Sequence, residues 1–190
     1  MPLALALASV TGCGNERIEP RSFELDPSQT SRTVRYPAAG LSLDLPRSFG
    51  VRRTPRPGVF RATLGEFFVS AFAYRRAEQL PRDDEELETA RGRLERAVKA
   101  RAKDYRLRSA RTVRVAGARA VELVGDQTLS SRRLRTRSLH VFKGETEYVI
   151  ELAAPTPAFP RVDRAVTPTV KRTLKLRGTV RSAGGRRARR

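Results

Sequence analysis

The sequence predicts an α+β fold, an antiparallel β-sheet with helices packed on it. Three observations carry this expectation. Apolar and polar residues alternate with period two on both sides of a central amphipathic stretch. That stretch opens on a helix-capping pattern, Asp83 followed three residues later by Glu86. A second stripe at helical spacing (Phe159, Val162, Val166, Val170 and Leu174) follows the last strand signal.

The elements follow in order along the chain. Leu41, Leu43 and Leu45 alternate with Ser42 and Asp44, a half-buried strand ended by Pro46. Residues 59–64 and 67–74 flank Gly65 and read as a hairpin. The helix capped by Asp83 carries acidic residues in its first turn, where the helix dipole favours them. Its apolar stripe is Leu87, Ala90, Leu94, Ala97 and Val98, with Gly92 weakening the helix without ending it. Four strands are expected next: 111–115 and 119–124 around Ala116-Gly117-Ala118, then 134–142 and 146–152 around Lys143-Gly144-Glu145. A three-residue loop in the last hairpin sets Val141 against Glu147, Leu139 against Val149 and Arg137 against Glu151. The other face then stacks Phe142, His140, Tyr148 and Ile150. The closing helix starts after Pro157, and Pro168 is expected to kink or split it.

Tyr36-Pro37-Ala38-Ala39-Gly40-Leu41-Ser42-Leu43-Asp44-Leu45-Pro46, a small residue before an alternating strand closed by Pro, is similar to the opening of the PsbP-like superfamily. Val115-Ala116-Gly117-Ala118-Arg119-Ala120-Val121-Glu122-Leu123 is similar to its mid-domain hairpin. Glu147-Tyr148-Val149-Ile150-Glu151-Leu152, Pro157-Ala158-Phe159 and Thr173-Leu174-Lys175-Leu176 match its ending. The resemblance spans about residues 36–176 and implies an α/β/α sandwich. It also implies a binding or assembly module rather than an enzyme. The superfamily includes photosystem-associated extrinsic proteins, Ran-binding relatives and bacterial envelope lipoproteins.

The N-terminus carries an address. An apolar run from Leu3 to Val10 leads through Thr11 and Gly12 to Cys13, the one cysteine of the 190-residue chain. Val10-Thr11-Gly12-Cys13 resembles a bacterial lipobox, which implies that Cys13 becomes the lipid-bearing first residue of the mature protein. Eight apolar residues fall short of the roughly 20 that a membrane-crossing helix needs, and they suit a signal h-region. Only Met1 and Pro2 precede the run, where such signals carry positive charge. The competing reading is a lone unmodified thiol. A single Cys permits no internal disulfide and no cysteine-rich zinc site, and two acyl signals on it would anchor the chain stably. Residues 1–12 are thus read as a signal, and 13–31, polar and broken by Pro20 and Pro27, as the lipidated Cys with its tether. One domain over 32–176 follows, with no internal repeat, and then a basic tail over 177–190.

Lys and Arg number 39 against 20 Asp and Glu, a formal net charge of +19. This balance suits a polyanionic or anionic-membrane partner. The basic residues are spread along the chain except at the end, where Lys171–Arg190 has no acidic residue. Arg186, Arg187, Arg189 and Arg190 are the candidate contacts to an anionic lipid or polymer, the alternative being a solvated tail without a partner.

Signals for catalysis are sparse. His140 is the one histidine, mid-strand, with Ser138 two residues away on the same face, and no nucleophile elbow accompanies them. Asp83-Asp84-Glu85-Glu86 lacks calcium-loop spacing and is better explained by helix capping. Nothing in the sequence asks for a metal or a cofactor. Arg132, Arg133, Arg135 and Arg137 make a basic strand segment without the interleaved aromatics of a nucleic-acid platform, expected to pair with Glu147 and Glu151. Two readings compete. One is a lipid-anchored envelope protein on the extracytoplasmic side, whose non-catalytic domain binds a protein, a lipid or a small apolar ligand. The other is a soluble basic protein binding nucleic acid or another polyanion. A hydrolase centred on His140 is a weaker third.

Overall fold

The computed structural model describes residues 30–101, 104–129 and 131–178. The chain runs β1 (Ser31–Tyr36), β2 (Leu41–Pro46), β3 (Gly50–Arg53), β4 (Gly58–Leu64), β5 (Phe67–Arg75), α1 (Asp84–Arg101) and β6 (Arg106–Val115). β7 (Ala118–Leu129), β8 (Arg132–Lys143), β9 (Thr146–Pro155), α2 (Phe159–Thr173) and β10 (Lys175–Leu176) follow. Seven strands form one antiparallel sheet in the order β3-β4-β5-β9-β8-β7-β6, and β1-β2-β10 form a second. The predicted α+β class is the observed one.

The large sheet has a helix on each face. α2 and the small sheet cover one, burying Leu41, Leu43, Leu45, Val162, Val166 and Val170 against Phe60, Val69, Val141, Tyr148 and Ile150. α1 lies on the opposite face over β6 and β7, where Leu87 packs on Val121 and Leu123. The α2 stripe is buried at every residue the sequence assigned to it. The α1 stripe is realised in part. Leu87 is buried, Leu94 and Val98 pack at its margin, and Ala97 is exposed. α1 starts as the capping pattern predicts, with the Glu86 amide donating to Asp83 Oδ1 at 2.8 Å. The Glu86 carboxylate reaches back one residue further than a capping box requires, accepting from the Arg82 amide at 2.8 Å.

Three expectations need correction. The β8–β9 register is one residue off the predicted one: Lys143 pairs with Thr146, Val141 with Tyr148, His140 with Val149 and Arg137 with Leu152. The turn holds two residues, with Gly144 at φ 59°. A one-residue slip exchanges the two faces of a strand, so Tyr148 and Ile150 join Val141 and Leu139 in the core. Phe142 and His140 are left facing Glu147 and Val149. Gly144 is required twice over, since its left-handed backbone disfavours a side chain and a Cβ there would lie 2.5 Å from the Gly178 carbonyl. Second, of the kink or split expected at Pro168 the split does not occur, and the last helix runs unbroken through it. Pro168 and Arg164, whose carbonyl loses its partner, both lie on the exposed side, where water can take the bond. Third, β1, β3 and β10 are additional strands. Ser31, assigned to the tether, is paired with Pro46 in β1. Arg177 and Gly178, assigned to the tail, are held by the bond from the Arg177 amide to the Gly40 carbonyl at 2.9 Å and from Thr146 Oγ1 to the Gly178 carbonyl at 3.4 Å.

Candidate functional site

The charged side chains of the large sheet sort into those that hold the fold together and those that face outward. On the α2 face, Glu122 is only 1% exposed. It accepts from Arg111 Nε at 2.7 Å, pairs with Arg137 Nη1 at 2.6 Å and also pairs with Lys171 of α2. Arg137 continues the chain of charge with two bonds of 2.7 Å to the Asp163 carboxylate, which also accepts from Thr167 Oγ1 at 2.6 Å. Asp126, also buried, is clamped by Arg135 at 2.6 and 3.1 Å and by Arg108 at 2.9 Å. Burial pushes the Glu122 carboxyl up, but its bond to Lys171 and the charges of Arg137 and Arg111 hold it below the usual carboxylate range. The Arg135 guanidinium does the same for Asp126 against the opposing effect of burial.

These contacts take three of the four arginines of the basic strand segment out of use as a free surface, leaving Arg133 exposed. Arg132 pairs with Glu66, Arg135 with Asp126, and Arg137 with Glu122 and Asp163. The expected partners Glu147 and Glu151 stand elsewhere, because the corrected register carries both to the other face of the sheet. There Glu147 is buried and takes Arg76 Nε at 2.5 Å and His140 Nδ1 at 2.7 Å. Burial raises its carboxyl, and the bonds and charges of His140 and Arg76 outweigh that and keep it low. Glu151, opposite Ser138 in the register, is pushed up by burial against the weaker pull of His140, Arg61 and Arg101.

His140 is thus tied to a carboxylate, half of what a Ser–His–acid site needs. The other half is missing. Ser138 is its neighbour along one strand, where alternate side chains run parallel, and no hydrogen bond joins the two. The acidic run at α1 is spent on capping and on ion pairs, with Asp84 meeting Arg119 and Arg114 at 3.1 and 3.2 Å. Among the described residues, no group of three or more His, Cys, Asp or Glu side chains could hold a metal.

Cavities narrow the search further. The space between α2 and the sheet, lined by Val69, Leu139, Ile150, Leu152, Val166 and Val170, measures only about 20 Å³. A small apolar ligand needs hundreds of cubic ångströms. A far larger groove of about 500 Å³ opens on the small sheet and the C-terminal end of α2. Its lining includes Arg35, Arg172, Lys175 and Arg177, a single carboxylate, Asp44, and the hydroxyls of Thr33 and Ser42. All four basic residues are exposed, and among the described residues none has a carboxylate partner. Sequence reasoning missed this groove, whose walls come from segments some 130 positions apart. The residues it did single out, Val10, Thr11, Gly12, Cys13, Arg186, Arg187, Arg189 and Arg190, lie outside the described residues. No helix among the described residues is long and apolar enough to cross a membrane.

No family model matches the sequence, and no curated protein matches it. The fold has clear counterparts among solved structures. Cyanobacterial PsbP (CyanoP) from Synechocystis superposes with a TM-score of 0.56 at 10% identity, covering 88% of this chain and 98% of that one. LpqN of Mycobacterium tuberculosis, described as involved in cell envelope biogenesis, gives 0.54 at 10% identity over 78% of this chain and 86% of its own. The Ran-binding protein Mog1p of Saccharomyces cerevisiae gives 0.51 at 9% identity over 81% of this chain and 97% of its own. At such identities the likeness establishes the fold, and the fold is PsbP-like.

Proposed function

We propose that the chain is a lipoprotein carried by Cys13 on the extracytoplasmic side of a cell membrane, and that its PsbP-like domain is a non-catalytic binding module. One structural observation carries the second half of this reading. Glu122, Asp126, Glu147 and His140 are committed to ion pairs that hold the sheet and, through Glu122, α2, whereas the basic groove holds four cations with no carboxylate partner among the described residues. A site built for catalysis keeps a reactive group poised beside a substrate-sized space. Here the reactive groups and the space are on different parts of the molecule. The fold supports the same reading by analogy, since Mog1p is a Ran-binding protein and LpqN is involved in envelope biogenesis. The first half rests on Val10-Thr11-Gly12-Cys13.

The narrow space under α2 favours a partner met at the surface over an apolar ligand swallowed by the core. The tied-up arginines of β8 likewise weigh against a nucleic-acid platform there. The test is the intact mass of the protein from the membrane fraction of expressing cells. Loss of residues 1–12 with a lipid-sized gain, both abolished by Cys13→Ala, is expected. An unprocessed cytosolic chain would overturn the anchoring.

A further inference from the structure

The register of the small sheet places the groove's polar groups in an order that suits one chemistry. Arg35 pairs with Ser42 across β1–β2, and Ser42 pairs with Lys175 across β2–β10. Paired residues of an antiparallel sheet point to the same face, and neighbouring strands lie about 4.8 Å apart. Arg35 and Lys175 therefore flank the Ser42 hydroxyl about 10 Å from each other on the outer face. The inner face of the same strand is Leu41, Leu43 and Leu45, locked in the core, so the row is presented by a rigid element. Arg172 reaches the groove from the last turn of α2, and Arg177 is fixed beside it by the hydrogen bond from its backbone N–H to the Gly40 carbonyl. One register step away, Asp44 stands opposite Thr33, whose hydroxyl donates to it at 2.6 Å.

Four cations around one hydroxyl, with one carboxylate at the side, make a site of mixed polarity. The cations supply charge-assisted donors to a phosphate, Arg in the fork geometry that phosphate oxygens accept. Asp44 would repel a bare anion placed against it, but it can accept from a hydroxyl. A ligand that satisfies both carries a phosphate and, a few atoms on, an alcohol. We propose that the groove binds the phosphate ester of a polyol, with phosphate on Arg35, Lys175 and Arg177 and hydroxyl on Asp44. This deepens the binding-module reading and rests on it for the choice of site, but it does not depend on Cys13. Such a group is presented by a glycerol-type phospholipid headgroup or by a soluble sugar or glycerol phosphate.

The test uses the full chain bearing Cys13→Ala, so that acylation plays no part. Binding of glycerol 1-phosphate and of inorganic phosphate is followed by calorimetry. Cosedimentation is followed with vesicles of phosphatidylcholine alone and with added phosphatidylglycerol. Glycerol phosphate is expected to bind at least tenfold more tightly than inorganic phosphate. Arg35→Glu with Lys175→Glu is expected to weaken it at least tenfold, and Asp44→Asn to erase the preference over inorganic phosphate. All three side chains lie on the outer face, and circular dichroism of the variants confirms that they fold. Cosedimentation with phosphatidylglycerol vesicles that is lost in the double variant assigns the headgroup as the source, and binding of the soluble ester alone assigns a soluble one. Equal binding by the double variant and the parent overturns the proposal. So does binding abolished by neutralising only Arg186, Arg187, Arg189 and Arg190 to Gln. Failure of Cys13 acylation would leave these results untouched.

Discussion

Arg137 is the side chain on which the packing of α2 turns. It sits 16% exposed between two carboxylates, Glu122 from β7 and Asp163 from α2, and bonds both. Removing it would leave one nearly buried carboxylate short of a partner and the other without its bidentate clamp. Breaking a buried pair in this way costs about 3–5 kcal/mol, far more than a surface pair is worth. Arg137→Met is therefore expected to lower the unfolding free energy by that amount, read from the denaturant midpoint and slope, whereas Arg75→Met, which loses an exposed pair with Glu145, changes it little. The same buried carboxylates set the pH dependence. Glu122, Asp126 and Glu147 are held below their ordinary values, so the stability they contribute is present above the unfolded value and lost as the pH falls below it and through the lowered folded values. Glu151 has the opposite sign. Burial raises it, so the folded state holds its proton longer, and its contribution falls as the pH climbs past the unfolded value. Melting curves of Glu151→Gln and the parent at pH 5 and pH 8 check this. The variant gains on the parent at the higher pH, and a gap that does not widen with pH overturns the assignment. None of these pairings was visible in the sequence, because each joins residues whose facing depends on register.

Helix α2 is the element most legible from sequence, and Pro168 shows why. The stripe from Phe159 to Leu174 is apolar at every inward position, and that burial specifies the helix strongly enough to carry a proline through it. Proline costs about 3 kcal/mol relative to alanine inside a helix, partly offset by about 0.4–1 kcal/mol from the stiffer unfolded chain. Pro168→Ala is expected to stabilise the domain by about 2 kcal/mol, read as a rise in melting temperature, since the new amide can bond the Arg164 carbonyl. The strands were less legible, for identifiable reasons. Lys143-Gly144-Glu145 reads as a turn of either two or three residues, and only the shorter one buries Tyr148, whose hydroxyl then donates to the Ala39 carbonyl at 3.0 Å. β1 is an edge strand in which Ser31, Thr33 and Arg35 face solvent, leaving Val34 and Tyr36 as a faint apolar pattern. β3 has one apolar residue in four. Elements whose inward residues are few leave little trace in a sequence.

The net charge of +19 acquires two distinct meanings once the chain is folded. Part of the arginine excess is spent inside the fold, pairing the buried carboxylates Glu122, Asp126 and Glu147. Part of it converges on the groove from β1, β10 and α2, which no single stretch of sequence displays. Solvent screening separates the two. The Debye length falls from about 10 Å at 0.1 M salt to about 3 Å at 1 M, and it acts on exposed charges far more than on buried ones. Anion binding at the groove is therefore expected to weaken steeply between 0.05 and 0.5 M sodium chloride, and to do so less in Arg35→Glu with Lys175→Glu. Thermal stability over the same range is expected to change less, because the carboxylates of the pairs that set it are buried, although Arg76, Arg108 and Arg111 are themselves partly exposed. Titrating glycerol 1-phosphate and recording melting curves on the same samples measures both at once. A melting temperature that fell in step with the affinity would mean that groove and buried network form one electrostatic unit. Independent behaviour means that the protein spends its charge twice, once on holding its shape and once on a partner.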